Sequence, residues 1–406
     1  MSLNIRPVLT SLLRNRTGAI LVAMQIAIAL AVLVNALYIT TQRIERMRRP
    51  TGIDVDNIFV MYSGGFTERF NITSTLQQDL DYLRTLSGVV SATAINAIPL
   101  SGGGSATSIA TQPKGQGLDS YNFFDVDEHG LDALGVRLVA GRNFRHDEIQ
   151  PPLGKQDASR FVDQVILSRA AAVHLFGNEN PLGKPVYDNL GQVATVIGIV
   201  DPVIGSWPGN EHADDVFFEP RLSARSGIGS YYLVRTQPGQ RDAVMRVAEE
   251  HLSRSNSDRV ITFNRTLAAI RDLTYLGDRT MSIYLLTITC FLIAVTCLGI
   301  FALATFNVST RTKQIGTRRA VGARRSDIIQ YFLIENGLTT SVGILAGCTL
   351  ALAAGYWLSR EYALPRLNLY FLVGGVLALW AIGQLAAWQP ARRAAAVSPS
   401  VATRTV

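Results

Sequence analysis

The sequence predicts an integral membrane protein, α-helical within the bilayer with four transmembrane helices, plus an extracytoplasmic mixed α/β domain with two subdomains. Three observations predict it. Of the 406 residues, 48% are hydrophobic and only 17% charged, whereas globular chains carry about 25% charge. The apolar residues gather into four runs long enough to cross a bilayer. Between the first and second runs, the stretch Thr40 to Thr280 holds 24 Lys and Arg against 28 Asp and Glu. The formal net charge of +7 therefore comes from the segments that flank the apolar runs. That distribution sets membrane topology and argues against a nucleic-acid-binding face.

Taken in chain order, residues 1–17 form a cytoplasmic N-terminus with Arg6, Arg14 and Arg16. A span takes roughly 20 apolar residues at about 1.5 Å each. The first runs over 18–39, with Gln25 and Asn35 as its strongly polar side chains. Ala29-Leu30-Ala31 mimics a signal cleavage site, but the apolar run continues to Ile39, beyond a signal core of about 7–15 residues. Residues 40–280 form the external domain. Residues 281–306 make the second span, 307–327 a cytoplasmic loop, 328–358 the third span, 359–366 an external loop, and 367–388 the fourth span. The last follows Pro365 and stops before Pro390, as helix punctuation predicts. Residues 389–406 form a cytoplasmic tail.

Orientation follows from the short loop. It contains Arg311, Lys313, Arg318, Arg319, Arg324 and Arg325 with no acidic residue up to Ser326, which places it inside. Four spans then put both termini inside and 40–280 outside. Arg43, Arg46, Arg48 and Arg49 oppose this assignment, but residues ahead of a long translocated domain weigh less.

Within the external domain, Ile53–Tyr62 reads as a strand. Thr73–Leu86 follows as a helix through Leu76, Leu80 and Leu83, and Val89–Ile98 as a strand. The pattern recurs with Tyr231–Arg235, Gln240–Leu252 and Arg259–Phe263. Two β-α-β units so far apart imply one split sheet with a second subdomain inserted over 126–228, including strands Gln164–Leu167 and Val193–Val200. Arg265–Arg279 reads as a helix leading into the second span.

Few motifs point to chemistry. Leu100-Ser101-Gly102-Gly103-Gly104 resembles an ABC ATPase signature loop, but no G-x-x-x-x-G-K-S/T occurs in the sequence, and it is read as a flexible loop. His129, His146, His174, His212 and His251 are dispersed without metal-ligand spacing, and Glu211–Asp215 reads as a solvated loop, so no metal site is assigned. Cys290, Cys297 and Cys348 lie in apolar runs, which leaves the polar stretch with no disulfide and no cysteine-based metal or redox motif. No catalytic set and no cofactor site is recognisable. Glu335, early in the third span, is an intramembrane polar candidate, because charge at membrane depth is costly; an interfacial position is the competing reading. Ala23, Ala27 and Ala31, and Gly343 with Gly347, have the small-residue spacing of close helix packing.

The densest feature is the loop RTKQIGTRRAVGARRSD, Arg311 to Asp327. A basic loop beside a bilayer serves as a lipid contact and topology anchor. Ile315, Ala320, Val321 and Ala323 add an apolar face suited to a groove on a cytoplasmic partner. This loop closely resembles the coupling segment of FtsX-like ABC permeases of the MacB type, R-x-x-E-I-G-x-R-R-A-x-G-A-x-x-x-D-I. The resemblance extends to VILSRAAAVHLFGNENPLGKPV (Val165–Val186), GVRLVAGRNF (Gly135–Phe144), VIGIVDP (Val196–Pro202) and PARRAAAVSPSVA (Pro390–Ala402).

The resemblance implies a bacterial inner-membrane permease without a fused ATPase domain, its external domain divided into Porter-like and Sabre-like subdomains. It implies a partner ABC ATPase dimer that supplies ATP and Mg, and pairing with a second permease copy or a homologous permease. A periplasmic adaptor and an outer-membrane channel are candidate partners, alongside the lipid membrane. Lys313, Gln314, Ile315, Gly316, Arg318, Arg319, Ala320, Val321, Gly322 and Ala323 would form the ATPase-coupling surface. Gln314 departs from the acidic residue usual in the motif. The function expected is mechanotransmission driving efflux or export of a periplasmic substrate such as a peptide or antibiotic. Lipoprotein release or activation of a cell-wall hydrolase is the rival on the same fold, and a non-energised sensor or scaffold the rival of another class.

Overall fold

The computed structural model describes residues 16–67, 70–113, 120–152, 161–224, 229–361 and 367–398. Arg6, Arg14, most of the expected external loop 359–366 and the end of the tail 389–406 lie outside the described residues. In chain order the elements are α1 (Arg16–Arg48), β1 (Ile58–Gly65), α2 (Ile72–Thr85), β2 (Val89–Ile95), β3 (Ala106–Thr107), β4 (Ile109–Ala110) and β5 (Tyr121–Val126). There follow α3 (Gly130–Leu134), β6 (Leu138–Gly141), β7 (Gln164–Ser168), α4 (Arg169–Phe176), β8 (Pro185–Asp188), β9 (Val193–Val200) and β10 (Val216–Pro220). The chain continues through β11 (Gly229–Thr236), α5 (Arg241–Ser255), β12 (Arg259–Thr266), α6 (Leu267–Thr274) and α7 (Leu276–Thr310). It ends in α8 (Thr312–Ala320), α9 (Arg325–Glu361) and α10 (Leu369–Ala395). The chain divides into two compact units, residues 1–45 with 278–406, and 46–277.

The first unit is helical. Among the described residues, four helices, α1, α7, α9 and α10, are long and apolar enough to cross a membrane. Ile26, Leu30 and Val34 of α1 pack with Ile300, Ile344, Ala351 and Leu379 of the other three. The small-residue stripes meet one another: a Cβ on Gly343 would lie 2.7 Å from the Ala23 carbonyl, and one on Gly347 would lie 3.0 Å from that of Ala27. Ala31 is part-buried against the same cluster.

Two expectations about helix limits fail. Helix α10 runs through Pro390 to Ala395 and does not stop before the proline. Proline removes a backbone donor, but Pro390 and the alanines after it are buried. Ala391, Ala394 and Ala395 pack against Ile315, Ile328 and Phe332, so tertiary packing overrides the local signal. The expected single helix Arg265–Arg279 is two, α6 and α7, with Tyr275 between them.

The second unit contains two sheets. The smaller is antiparallel in the order β12-β1-β11-β2, the arrangement of a split β-α-β fold. Leu76, Leu80 and Leu83 of α2, with Val244, Ala248 and Leu252 of α5, bury one face of it. Beneath them Arg259 and the Tyr232 hydroxyl both hydrogen-bond the buried Asp79, at 2.9 and 2.6 Å. The larger sheet runs β3-β5-β10-β7-β9-β8-β4, with β6 paired to β9. It begins before Val126, because β3, β4 and β5 pair into it; the first two strands have only two residues each, too few to show alternation. Gly141 ends β6 at φ +77°, where a Cβ would lie 2.2 Å from the Ile197 carbonyl, so this position admits only glycine.

Candidate functional site

Among the described residues, polar and basic side chains gather at the elbow between α7 and α9, in a cavity of the external unit and in a histidine cluster. Helix α8 is closed by Gly322 at φ +101°, with the Ala323 amide donating to the Arg318 carbonyl at 3.0 Å. The Arg324 amide donates to Asp327 Oδ2 at 2.9 Å and opens α9. Ile315 is the bulky apolar residue of a short helix, and such a helix buries what apolar face it has. It packs on Ile328, Phe332, Ala391 and Ala394.

The expected coupling surface therefore divides. Ile315 and Gly316 are buried and anchor α8 to the helices behind it. Arg319 turns back to donate to the Ala323 carbonyl at 3.3 Å, and Ala323 is part-buried. Lys313, Gln314, Arg318, Ala320, Val321 and Gly322 form the exposed face. The Arg318 guanidinium lies 4.8 Å from the Tyr331 ring centroid. Val321 is 84% exposed at the tip, where its apolar side chain contributes nothing to the fold. Glu335 is buried, with both carboxylate oxygens bound by Arg311 Nη1 at 3.0 and 2.8 Å. This buried carboxylate is thereby paired with a guanidinium across the base of the elbow.

The second place is a cavity of about 1030 Å³ in the external unit, lined by residues of both sheets, including Asn96, Phe123, Asp125, Glu219, Arg221 and Tyr231. Asp125 of β5 and Glu219 of β10 are direct partners in a parallel pair, which puts both carboxyls on one face. Burial pushes Asp125 up to about 7, opposed by the Arg221 charge. Burial, and then the charge of Asp125, pushes Glu219 up to about 8. The Leu100–Gly104 loop borders this cavity and is pinned, contrary to the flexible loop expected. Its Leu100 and Gly102 amides donate to the Gly205 and Ser206 carbonyls at 3.0 and 2.8 Å, so neither is left to cradle a phosphate.

Sequence spacing missed one cluster. His174 Nδ1 and His212 Nδ1 lie 2.7 and 3.1 Å from the same oxygen of Asp215, in a group able to hold a metal ion. His174 and Asp215 are 41 positions apart in sequence, a separation that no local motif reveals.

Comparison with known proteins gives two matched regions. Residues 17–250 match the MacB-like periplasmic core domain and residues 286–399 the C-terminal region of FtsX-like permeases. The chain is similar to a protein described as macrolide export ATP-binding/permease protein MacB from Aggregatibacter actinomycetemcomitans, 30% identical over 57% of this chain and 35% of that one. The same description from Chlorobium luteolum matches at 32% identity over 68% and 42%. A probable export ATP-binding/permease protein of Pseudomonas fluorescens matches at 28% over 65% and 40%. The chain thus spans less than half the length of these curated relatives. Among solved structures, the periplasmic region of MacB from Actinobacillus actinomycetemcomitans is similar, with TM-score 0.36 and 21% identity over 55% of this chain and 94% of that one.

Proposed function

This chain belongs to the MacB-like periplasmic core domain family and carries the C-terminal region of an FtsX-like permease, and from that premise we propose that it is the membrane subunit through which an ABC ATPase moves an external domain. The single observation that carries the reading is the elbow. It presents Val321 at 84% exposure among Lys313, Arg318 and Gly322, while Ile315 fixes the same helix to α9 and α10. A short helix with one face anchored and a basic, exposed face that ends in an apolar tip suits a lever pushed by a separate ATPase dimer that holds ATP and Mg.

The remaining assignments follow. Two copies, of this permease or of a homologous one, would pair over the ATPase dimer, with both termini cytoplasmic and residues 40–280 in the periplasm of a bacterium. The positive cluster that opposes this orientation is partly neutralised, since Arg43 pairs with Asp278 and Arg49 with Asp214. Two polar residues of the spans hydrogen-bond from one helix to another. Asn35 donates to the Ala351 carbonyl at 3.1 Å and Asn336 to that of Gly383 at 3.0 Å, while Gln25 borders Gly299 and Gln384 borders Gly337. This supports work done outside the membrane over a hydrophilic conduit through it. In this reading the two sheets correspond to Porter-like and Sabre-like subdomains, and the work is export of a periplasmic peptide or antibiotic. The relatives named for macrolide export favour that cargo class.

The test replaces the exposed tip and keeps the anchor. Wild-type chain purified in mild detergent should bring down an ATP-hydrolysing subunit. Val321→Asp with Arg318→Glu should leave membrane insertion intact and cut the recovered hydrolysis by about tenfold, as loss of a central interface anchor does. Undiminished recovery in the double variant defeats the lever assignment.

A further inference from the structure

We propose that His174, His212 and Asp215 form a binding site for a divalent transition-metal cation of the zinc class on the external unit. The inference stands apart from the transport reading and rests on the geometry of these residues. Both Nδ1 atoms approach one carboxylate oxygen, at 2.7 Å from His174 and 3.1 Å from His212. The two imidazoles stack with centroids 4.9 Å apart and planes tilted by 24°, so the nitrogens converge on a common point. All three ligand atoms lie within 4.8 Å of one another.

The distances decide how much must move. A tetrahedral zinc ion with bonds of about 2.0–2.2 Å holds neighbouring N and O donors about 3.3 Å apart. The His212 contact at 3.1 Å is close to that already, and the His174 contact at 2.7 Å must open by roughly half an ångström, which rotation of an imidazole supplies. A metal in this position needs unprotonated Nδ1 atoms, so any proton there moves to Nε2 or to solvent. The Asp215 carboxylate, only 6% exposed, then faces a doubly charged partner.

The backbone holds the donors in place. Ser168 Oγ accepts from the Ala171 amide and so caps α4, the helix that bears His174. The same Oγ donates to the Asp214 carbonyl at 2.6 Å and accepts from the Val216 amide at 3.2 Å. One side chain thereby ties the helix to both residues that flank Asp215. The Asp215 carbonyl in turn accepts from the Asn122 amide at 2.9 Å. Neighbouring Asp214 is committed to Arg49 at 2.5 Å and so stays out of the donor set. The imidazole side chains are 32% and 48% exposed, and water is the usual fourth ligand of a three-residue zinc site. Two imidazoles and one carboxylate suit zinc, copper or nickel and discriminate against calcium and magnesium, which prefer all-oxygen shells.

The test uses tag-free, full-length chain in detergent, stripped with chelator and titrated calorimetrically with Zn²⁺. A single zinc per chain is expected. His174→Ala, His212→Ala and Asp215→Asn should each weaken binding by about tenfold or more. His146→Ala, which alters the His146–Glu128 pair elsewhere on the domain, should leave it unchanged. His212 lies on an exposed loop, so its variant tests the site even where Asp215→Asn impairs folding. Co²⁺ should give tetrahedral visible bands that the His212 variant abolishes. Absence of stoichiometric binding, binding undiminished in both His174 and His212 variants, or loss of binding in His146→Ala overturns the proposal.

Discussion

Asp125 and Glu219 show how a strand register creates chemistry that composition does not announce. As cross-strand partners in β5 and β10 they share one buried face, and burial raises both carboxyls, to about 7 and about 8. A group that holds its proton more tightly folded than unfolded makes the folded state bind more protons, so stability falls as pH rises. Their contribution is complete below pH 3.8 and is lost progressively up to about pH 8. The expected outcome is a melting temperature for the external unit that declines between pH 5 and pH 8. Asp125→Asn with Glu219→Gln, which mimic the protonated pair, should flatten that decline, at roughly 2–4 °C per kcal/mol for a domain of this size. Scanning calorimetry of the full chain at several pH values checks it, and an equal slope in the double variant refutes the buried-pair account. Glu335 is the contrasting case. A lone carboxylate in an apolar run was visible in the sequence, but its partner Arg311 was not, because the pairing depends on how α7, α8 and α9 fold back on one another.

Among the elements, α1 and α9 show that small-residue spacing had physical content here. Gly343 and Gly347 allow the α9 backbone to approach the carbonyls of Ala23 and Ala27. Gly343→Ala would place a methyl 2.7 Å from the Ala23 carbonyl oxygen, and overpacking of this kind costs about 1–3 kcal/mol. Gly374 has nothing within 4 Å of its Cβ position, so Gly374→Ala should be neutral. Thermal unfolding in detergent should separate the two variants, and equal melting temperatures would show that the α1–α9 contact is not tight. Helix α10 carries the opposite lesson: Pro390 reads as a stop, and the apolar contacts of Ala391, Ala394 and Ala395 with Ile315 and Phe332 carry the helix onward. Helix α8 is the third case. Its residues read in sequence as one surface, but a helix has two sides, and Ile315 determines which side faces inward.

For the whole molecule, topology is the decisive prediction. In a background without Cys290, Cys297 and Cys348, Leu190→Cys, at an exposed position of the external unit, should react with a membrane-impermeant maleimide in spheroplasts. Val321→Cys should react only after the inner membrane is lysed. The reverse pattern removes the elbow from the compartment of any ATPase. The four long apolar helices and the split β-α-β pattern are legible in the residues, because apolar length and short-range periodicity are properties of one dimension. The family was legible for a related reason, since its motifs are contiguous stretches such as Arg311–Asp327 and Val165–Val186. What only the tertiary structure decided depends on residues far apart in sequence: the inward side of the elbow, the Arg311–Glu335 pair, the shared face of Asp125 and Glu219, and the convergence of His174, His212 and Asp215. Each of these takes its energy from a contact that exists only once the chain has closed on itself, and no local pattern encodes the distance between its ends.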